Sequence, residues 1–260
     1  MAGREAIEET LSRLRSQVEA AVREEQLRDQ LTGLANGAGL TEDLTQLLGQ
    51  GEGEFWVAFI EVDRFKRIND EFGYEAADAL LKAIAVQLET ARLLFHRGAR
   101  AYRAHGDEFF LIGGVAGDAD IESIAQALAH LCQGIARIRL PVSNHHAAMS
   151  CTVTVGWSTA KEARAHVGAP GLTYRALMTL LETTVGAAKR RSRGTVLMFG
   201  PDVEKLATFT LRSDCAECSA SFSVDVPRED RRADALRCPN CGAAVDRPPR
   251  PPDPPKAISV

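Results

Sequence analysis

The stretch "EFWVAFIEV", residues 54 to 62, constrains the fold of this chain more than any other. It is apolar at successive positions, so a strand built from it has both faces to cover. Such a strand belongs in the middle of a sheet with helices on both sides. A partner for it lies in "RAHGDEFFLIGG", residues 103 to 114, which reads as a hairpin. His105, Gly106 and Asp107 can turn, and Phe109 to Ile112 lead out as a second strand. Adjacent acids at a hairpin tip, here Asp107 and Glu108, are ordinarily just solvated. They gain chemical meaning if a third acid and a phosphate-binding group reach the same edge.

Helical patterns interleave with these strands. Residues 4 to 28 are rich in Glu, Arg, Ala and Leu and contain no proline. Residues 37 to 48 can restart a helix after the break at "TGLANG". The segment "EAADALLKAIAVQLETARLL" places Ala77, Leu80, Leu81, Ile84, Leu88 and Ala91 on one face, and "IESIAQALAHLCQGIARI" does the same with Ile121, Ile124, Leu128, Leu131 and Ile135. "AMSCTVTVGWST" reads as a strand, "YRALMTLLETTVGAAKRR" as a helix and "TVLMFG" as a last strand. The expected class is α/β (α+β): a mixed sheet flanked by helices, in a domain of residues 29 to 200.

The first 28 residues form a unit of their own. Ile7, Leu11, Leu14, Val18 and Ala21 follow a four-three spacing, one apolar seam on a charged helix. Two readings stand side by side: a short two-stranded coiled coil, or a helix lying on its own domain. A net charge of −4 argues against general nucleic-acid or membrane-surface binding. The charged N-terminus "MAGREAIEETLSRLRS" is unlike a signal peptide, and no apolar run approaches bilayer length. The expectation is a cytoplasmic chain with no membrane contact.

The composition changes after Gly200. Cys215-x-x-Cys218 and Cys238-x-x-Cys241 are separated by nineteen residues, with Gly242 after the last cysteine. That spacing fits a four-cysteine Zn²⁺ site and resembles a zinc ribbon over residues 205 to 246. Two readings stand for the metal: a purely structural ion, or the core of a docking module for a partner that the charged, strand-poor intervening sequence does not specify. The remaining cysteines, Cys132 and Cys151, sit in apolar surroundings and read as core. Residues 247 to 260, within the Pro-dense "DRPPRPPDPPKAISV", read as an extended, disordered tail.

The acids have a third member. Glu61 and Asp63 close the central strand, and ligands in mixed α/β sheets gather at such strand ends. Clustered carboxylates repel unless protonated or bridged by a cation. Hard oxygen ligands favour Mg²⁺ or Mn²⁺, which usually share their coordination with substrate phosphates. In "AAKRRSRG", Lys189 and Arg193 are four apart and would share a helix face. They can hold a polyphosphate, or simply be a solvated basic helix end.

Together "DQLTGLAN", "EVDRFKRINDEFGY", "AAD", "RAHGDEF" and "AAKRRSRG" resemble the diguanylate cyclases, known by their GGDEF motif, in order and spacing. The resemblance covers residues 29 to about 200. It implies a fold like the nucleotide-cyclase palm, with a mainly antiparallel sheet. It implies condensation of two GTP into cyclic di-GMP with loss of two pyrophosphates, at the interface of a homodimer. It also implies roles: metal at Glu61, the Val62 carbonyl, Asp107 and Glu108; catalysis by Asp107 and Glu108; guanine recognition by Asn69 and Asp78. Phosphate contacts would come from the backbone of the "RFK" loop at Phe65 and Lys66, and from Lys189 and Arg193. The N-terminal helix would supply the dimer contact, and it or the ribbon could meet another protein.

This chain departs from the family pattern at several places. His105 replaces the first motif Gly, and Glu61 the usual Asp. Tyr74 replaces His, Ala77 replaces Gly, and Gly37 stands where Arg is usual. Gly186 replaces Tyr, and Ser192 and Gly194 replace Gly and Asn. His96-Arg97-Gly98-Ala99 occupies the place of the Arg-x-x-Asp of the family's inhibitory product site. No metal or guanine ligand is deleted. Two functions follow: a cyclase slowed by these departures, or a silent GGDEF-like scaffold that binds GTP or a protein.

Overall fold

A computed structural model describes residues 2–51, 54–95, 98–115, 117–141, 148–168, 171–200, 203, 208–227, 236–238 and 240–245. The Pro-rich tail from 246 onward and "HR" at 96–97 therefore lie outside the described residues.

The elements are α1 (Ala2–Gln26), β1 (Ala35–Asn36), α2 (Gly37–Gly49), β2 (Phe55–Val62), α3 (Phe65–Phe72), α4 (Tyr74–Ala91), β3 (Ala99–His105), β4 (Glu108–Gly114), α5 (Ala119–Ala136), β5 (Val153–Thr159), α6 (Ala160–Val167), α7 (Tyr174–Arg191) and β6 (Val196–Met198). The six strands form one sheet in the order β1-β3-β4-β2-β5-β6. Strand β2 pairs antiparallel with β4 and β5, and β3 with β4. The short edges are parallel, β1 to β3 and β6 to β5. This is the mixed, mainly antiparallel sheet with flanking helices that the sequence implies.

The uninterrupted apolar run of β2 now has its reason. Trp56, Ala58, Ile60 and Val62 face one layer with Ile84 and Leu88 of α4 and Leu128 and Leu131 of α5. Phe55, Val57 and Phe59 face the opposite layer with Leu40 and Leu44 of α2 and Leu177 and Leu181 of α7. Alternation along one strand thus fills two cores, as the period of two requires. Cys132 and Cys151 are buried as expected, and burial pushes both thiols up to about 12.

Helix boundaries follow local chemistry. Asn36 caps α2 by accepting from the N–H groups of Ala38 and Gly39, at 3.0 and 3.1 Å. Thr173 caps α7 through Ala176 N–H at 3.2 Å. Two helices were not expected from periodicity. Helix α6 opens on Thr159-x-x-Glu162, where Thr159 Oγ1 accepts from Glu162 N–H at 3.1 Å. Helix α3 begins straight after Arg64, which holds φ 57°, a left-handed conformation uncommon for a non-glycine residue. The "RFK" segment is therefore the first turn of a helix rather than a loop.

Three further differences concern strand and helix ends. The strand expected over 148–159 is regular only from Val153, and Met149 makes an isolated bridge to Leu140. Helix α7 stops at Arg191, so Arg193 lies beyond it and shares no helix face with Lys189. The segment between the CxxC pairs is not strand-poor: it holds β8 (Ser221–Pro227) and β9 (Leu236–Arg237), which pair antiparallel with β7 (Thr208–Asp214) before the first CxxC and β10 (Ala244–Val245) after the second. Among the described residues no helix is long and apolar enough to cross a membrane.

On α1, Leu11, Leu14, Val18 and Val22 are exposed, at 51% to 61% of their full surface. From Leu11 onward the seam is therefore not laid on its own domain. An Arg23–Glu42 ion pair ties the base of α1 to α2.

Candidate active site

The end of β2 and the tip of the β3–β4 hairpin meet at one sheet edge. Glu61 stands directly opposite Glu108 in the β2–β4 register. The Val62 N–H donates to Asp107 O at 3.3 Å, which fastens the hairpin tip to the strand end. The positive φ of the turn, 52°, falls on Gly106 and not on His105, which is still in β3. His105 therefore carries no left-handed strain. Its exposed imidazole lies with Nδ1 3.0 Å from Glu108 Oε2.

The hairpin is braced from behind. Arg103 donates to Gly106 O at 2.8 and 3.0 Å and to both oxygens of Asp29 at 3.0 and 3.2 Å. Asp29 also accepts from the Thr32 N–H at 2.9 Å and hydroxyl at 2.6 Å. Burial would raise Asp29, but the bonds from Thr32 and Arg103 outweigh it and hold the carboxyl below its usual range. The "DQLT" segment thus fixes the turn that presents Asp107 and Glu108.

Electrostatics mark the edge as crowded with acids. Burial and then the nearby Glu61 push Asp107 up, against the pull of Lys189. Burial also pushes Glu108 up, as do Glu61, Asp107 and Glu182 of α7, with His105 opposing. A divalent cation would relieve this repulsion, and the three side chains offer only hard oxygen donors, so the residues present fit Mg²⁺ or Mn²⁺. Lys189 reaches into the same edge and forms an ion pair with Glu61.

Beside the acids, the first intrahelical bonds of α3 run from Arg67 and Ile68 to Arg64 O, at 2.9 and 3.3 Å. The N–H groups of Phe65 and Lys66 thus stand in the first turn without an intrahelical acceptor, as suits an anion. Arg193 lies 3.3 Å from the buried Asp63. Asn69 is on α3 and Asp78 on α4, on either side of the Gly73 turn; Asn69 is half-buried and Asp78 exposed. The edge therefore brings together Glu61, Val62, Asp107, Glu108 and Lys189, with Phe65 and Lys66 opening the helix that follows.

Four groups escaped the sequence reading: Glu182, whose charge acts on Glu108, and the trio Thr152, Thr154 and Gly194 that surrounds Asp63. The alternation Thr152-x-Thr154 at the start of an apolar strand was the available signal, because i and i+2 share a face.

The C-terminal cysteines form a second centre. The Sγ atoms of Cys215, Cys218, Cys238 and Cys241 all lie within 4.8 Å of one another. The two CxxC turns share one pattern: Ser219 N–H donates to Cys215 O at 2.9 Å and Gly242 N–H to Cys238 O at 2.8 Å. Ser219 and Gly242 both adopt positive φ, 56° and 75°. The Asn240 amide donates to Cys218 Sγ at 3.5 Å and draws that thiol down, while the neighbouring sulfurs of Cys215 and Cys218 push Cys241 up. The group can hold one metal ion.

Residues 26–195 match the model of the GGDEF domain, diguanylate cyclase, and the chain belongs to that family. The diguanylate cyclase VdcA of Vibrio cholerae is 35% identical over 102 residues, 39% of this chain and 29% of that protein. The chain thus spans less than a third of that relative's length. Among solved structures, the diguanylate cyclase SiaD of Pseudomonas aeruginosa, in complex with its activator SiaC, is similar at TM-score 0.61 and 24% identity, over 74% of this chain and 69% of that one. The coiled coil and GGDEF domain of DgcB from Caulobacter crescentus, in complex with c-di-GMP, is similar at TM-score 0.60 and 22% identity, over 73% of this chain and 93% of that one. Both show the same fold.

Proposed function

We propose that this chain is a diguanylate cyclase that condenses two GTP into cyclic di-GMP and two pyrophosphates, using Mg²⁺ or Mn²⁺, as a homodimer. The observation that carries the proposal is the meeting of Glu61, Asp107, Glu108 and Lys189 at one strand end, beside the open first turn of α3. Membership of the GGDEF family supports it.

In this reading Glu61, the Val62 carbonyl, Asp107 and Glu108 hold the metal, which neutralises phosphate charge when bound. Asn69 and Asp78 take the guanine; a site built to pair polar edges rejects bases that lack them. The N–H groups of Phe65 and Lys66, with Lys189 and Arg193, hold the phosphates. Each subunit presents one GTP to the other. The 3′-hydroxyl oxygen of one attacks the α-phosphorus of its partner, the bond to the bridging oxygen of the β-phosphate breaks, and pyrophosphate leaves. The hydroxyl proton passes to the Glu108 carboxylate. Catalysis is otherwise positioning and charge neutralisation.

The cyclase domain spans residues 29 to 200 and acts in the cytoplasm. The exposed seam of α1 (residues 1 to 28) assembles the dimer. Residues 205 to 246 form a zinc ribbon in which Cys215, Cys218, Cys238 and Cys241 bind Zn²⁺, and the ribbon or α1 docks a further protein.

One observation favours the silent scaffold: Lys189 and His105 already engage Glu61 and Glu108 within the chain. Incubating the purified protein with GTP and Mg²⁺ or Mn²⁺ and assaying for cyclic di-GMP separates the two. Product identifies the enzyme; GTP binding without product identifies the scaffold.

A further inference from the structure

Asp63 is the acid at this edge that the proposed chemistry leaves unused, and its surroundings are unlike those of the other three. It is buried, with 6% of its surface exposed, and both oxygens are fully engaged. Oδ1 accepts from the Thr154 hydroxyl at 2.8 Å and from Arg193 at 3.3 Å. Oδ2 accepts from the Thr152 hydroxyl at 2.7 Å and the Gly194 N–H at 3.0 Å. Its own N–H donates to Thr152 O at 2.9 Å. One carboxylate thus ties the end of β2 to the entry of β5 and to the Arg193–Gly194 turn behind α7.

The consequence falls on Arg193. Its side chain is 43% exposed, so the Asp63 contact engages one edge and leaves other guanidinium N–H groups open. Asp63 and Arg193 both line a polar cleft of about 620 Å³, together with Arg64 and Arg67. Arg193 sits past the end of α7, so no helix fixes its backbone direction. The carboxylate supplies that direction twice, through the guanidinium and through the next backbone N–H.

We propose that Asp63 is a positioning residue that aims Arg193 at the polyphosphate tail of the nucleotide, holding guanidinium and turn together. This rests on the reading of Arg193 as a phosphate contact. An arginine held by a carboxylate meets phosphate pre-oriented, with less side-chain freedom left to lose. Asp63→Asn removes the charge and turns one accepting oxygen into a donor. Flipped one way, the new amide opposes Arg193; flipped the other, it opposes the Gly194 N–H. Neither can accept.

The test is calorimetric titration of the full chain with GTP and with GMP, in Mg²⁺. GMP shares the base and lacks the tail. For Asp63→Asn we expect GTP to bind about tenfold more weakly and GMP to change less than about twofold, the loss typical of one charge-assisted bond. In an Arg193→Ala background Asp63→Asn should cost nothing further, because the effect passes through Arg193. Thr152→Val keeps the carboxylate and removes one donor; it should weaken GTP about threefold and spare GMP, so the proposal is tested even if Asp63→Asn does not fold. Equal weakening of GTP and GMP, or additive losses in the double variant, would overturn it and leave Asp63 a structural tie. If the wild type binds no GTP at all, the GTP reading fails first and this role falls with it.

Discussion

Glu61 and Glu108 stand opposite each other across β2 and β4, two acids in directly paired positions. Like charges so placed are destabilising. Burial and these neighbours raise Glu108 and Asp107 above the ordinary carboxylate range. A carboxyl raised in the folded state binds its proton more tightly there than when unfolded. Its contribution to stability is therefore present at low pH and is lost as pH rises from the unfolded value through the raised one. A divalent cation should restore it. Thermal unfolding should show a clear rise in Tm with Mg²⁺ or Mn²⁺ at neutral pH and a smaller rise at acid pH, where the raised Asp107 and Glu108 hold their protons against the cation. Asp107→Asn should raise the metal-free Tm and abolish the metal-induced gain. An equal gain at both pH values would show that the cation binds elsewhere.

The packing of α7 on β5 gives a stability prediction. A Cβ added at Gly156 would lie 2.7 Å from the Val185 backbone nitrogen and 3.0 Å from Thr184 Cβ. Backbone cannot yield as a flexible side chain can. Gly156→Ala should destabilise the domain by about 1 to 3 kcal/mol in denaturant titration, the usual cost of overpacking. A change below about 0.5 kcal/mol would mean that α7 shifts freely.

Much of this arrangement was legible in the sequence. The β2 run, the hairpin, the α4, α5 and α7 stripes and the core cysteines were readable because burial leaves a period. The Glu61–Glu108 pairing followed from putting the hairpin beside β2. What was not legible lacked periodicity. Helix α3 is eight residues long and starts on a left-handed Arg64, which no composition signal announces. The capping box at Thr159 was present but brief. The Asp63 tie joins positions up to 131 apart in sequence, and only the folded sheet makes them neighbours.

The exposed apolar seam on α1 predicts concentration-dependent activity. Leu14→Asp with Val18→Asp puts charge on two positions that are 51% and 61% exposed in the single chain. The folded domain should keep its Tm, while specific activity at low protein concentration should fall several-fold. Activity that is unchanged across dilution would show that another surface assembles the two sites.

The four cysteines predict one zinc ion per chain, measurable by elemental analysis of freshly purified protein. Chelation should unfold the ribbon and leave the cyclase-like domain intact, because a module this small has little core to replace the metal. A single cooperative loss of all structure on chelation, or no stoichiometric zinc, would reject this assignment.

The most direct measurement is the rate of cyclic di-GMP formation from GTP by the wild type, Asp107→Ala, Glu108→Ala and His105→Gly, with Mg²⁺ and with Mn²⁺. The wild type should be slow but active, and each acid variant should lose at least about a hundredfold, as expected for removed catalytic groups. His105→Gly should turn over faster, because it frees the Glu108 oxygen now 3.0 Å from Nδ1. No cyclic di-GMP from either the wild type or His105→Gly, at high GTP with Mn²⁺, would contradict the cyclase account and leave the scaffold in its place.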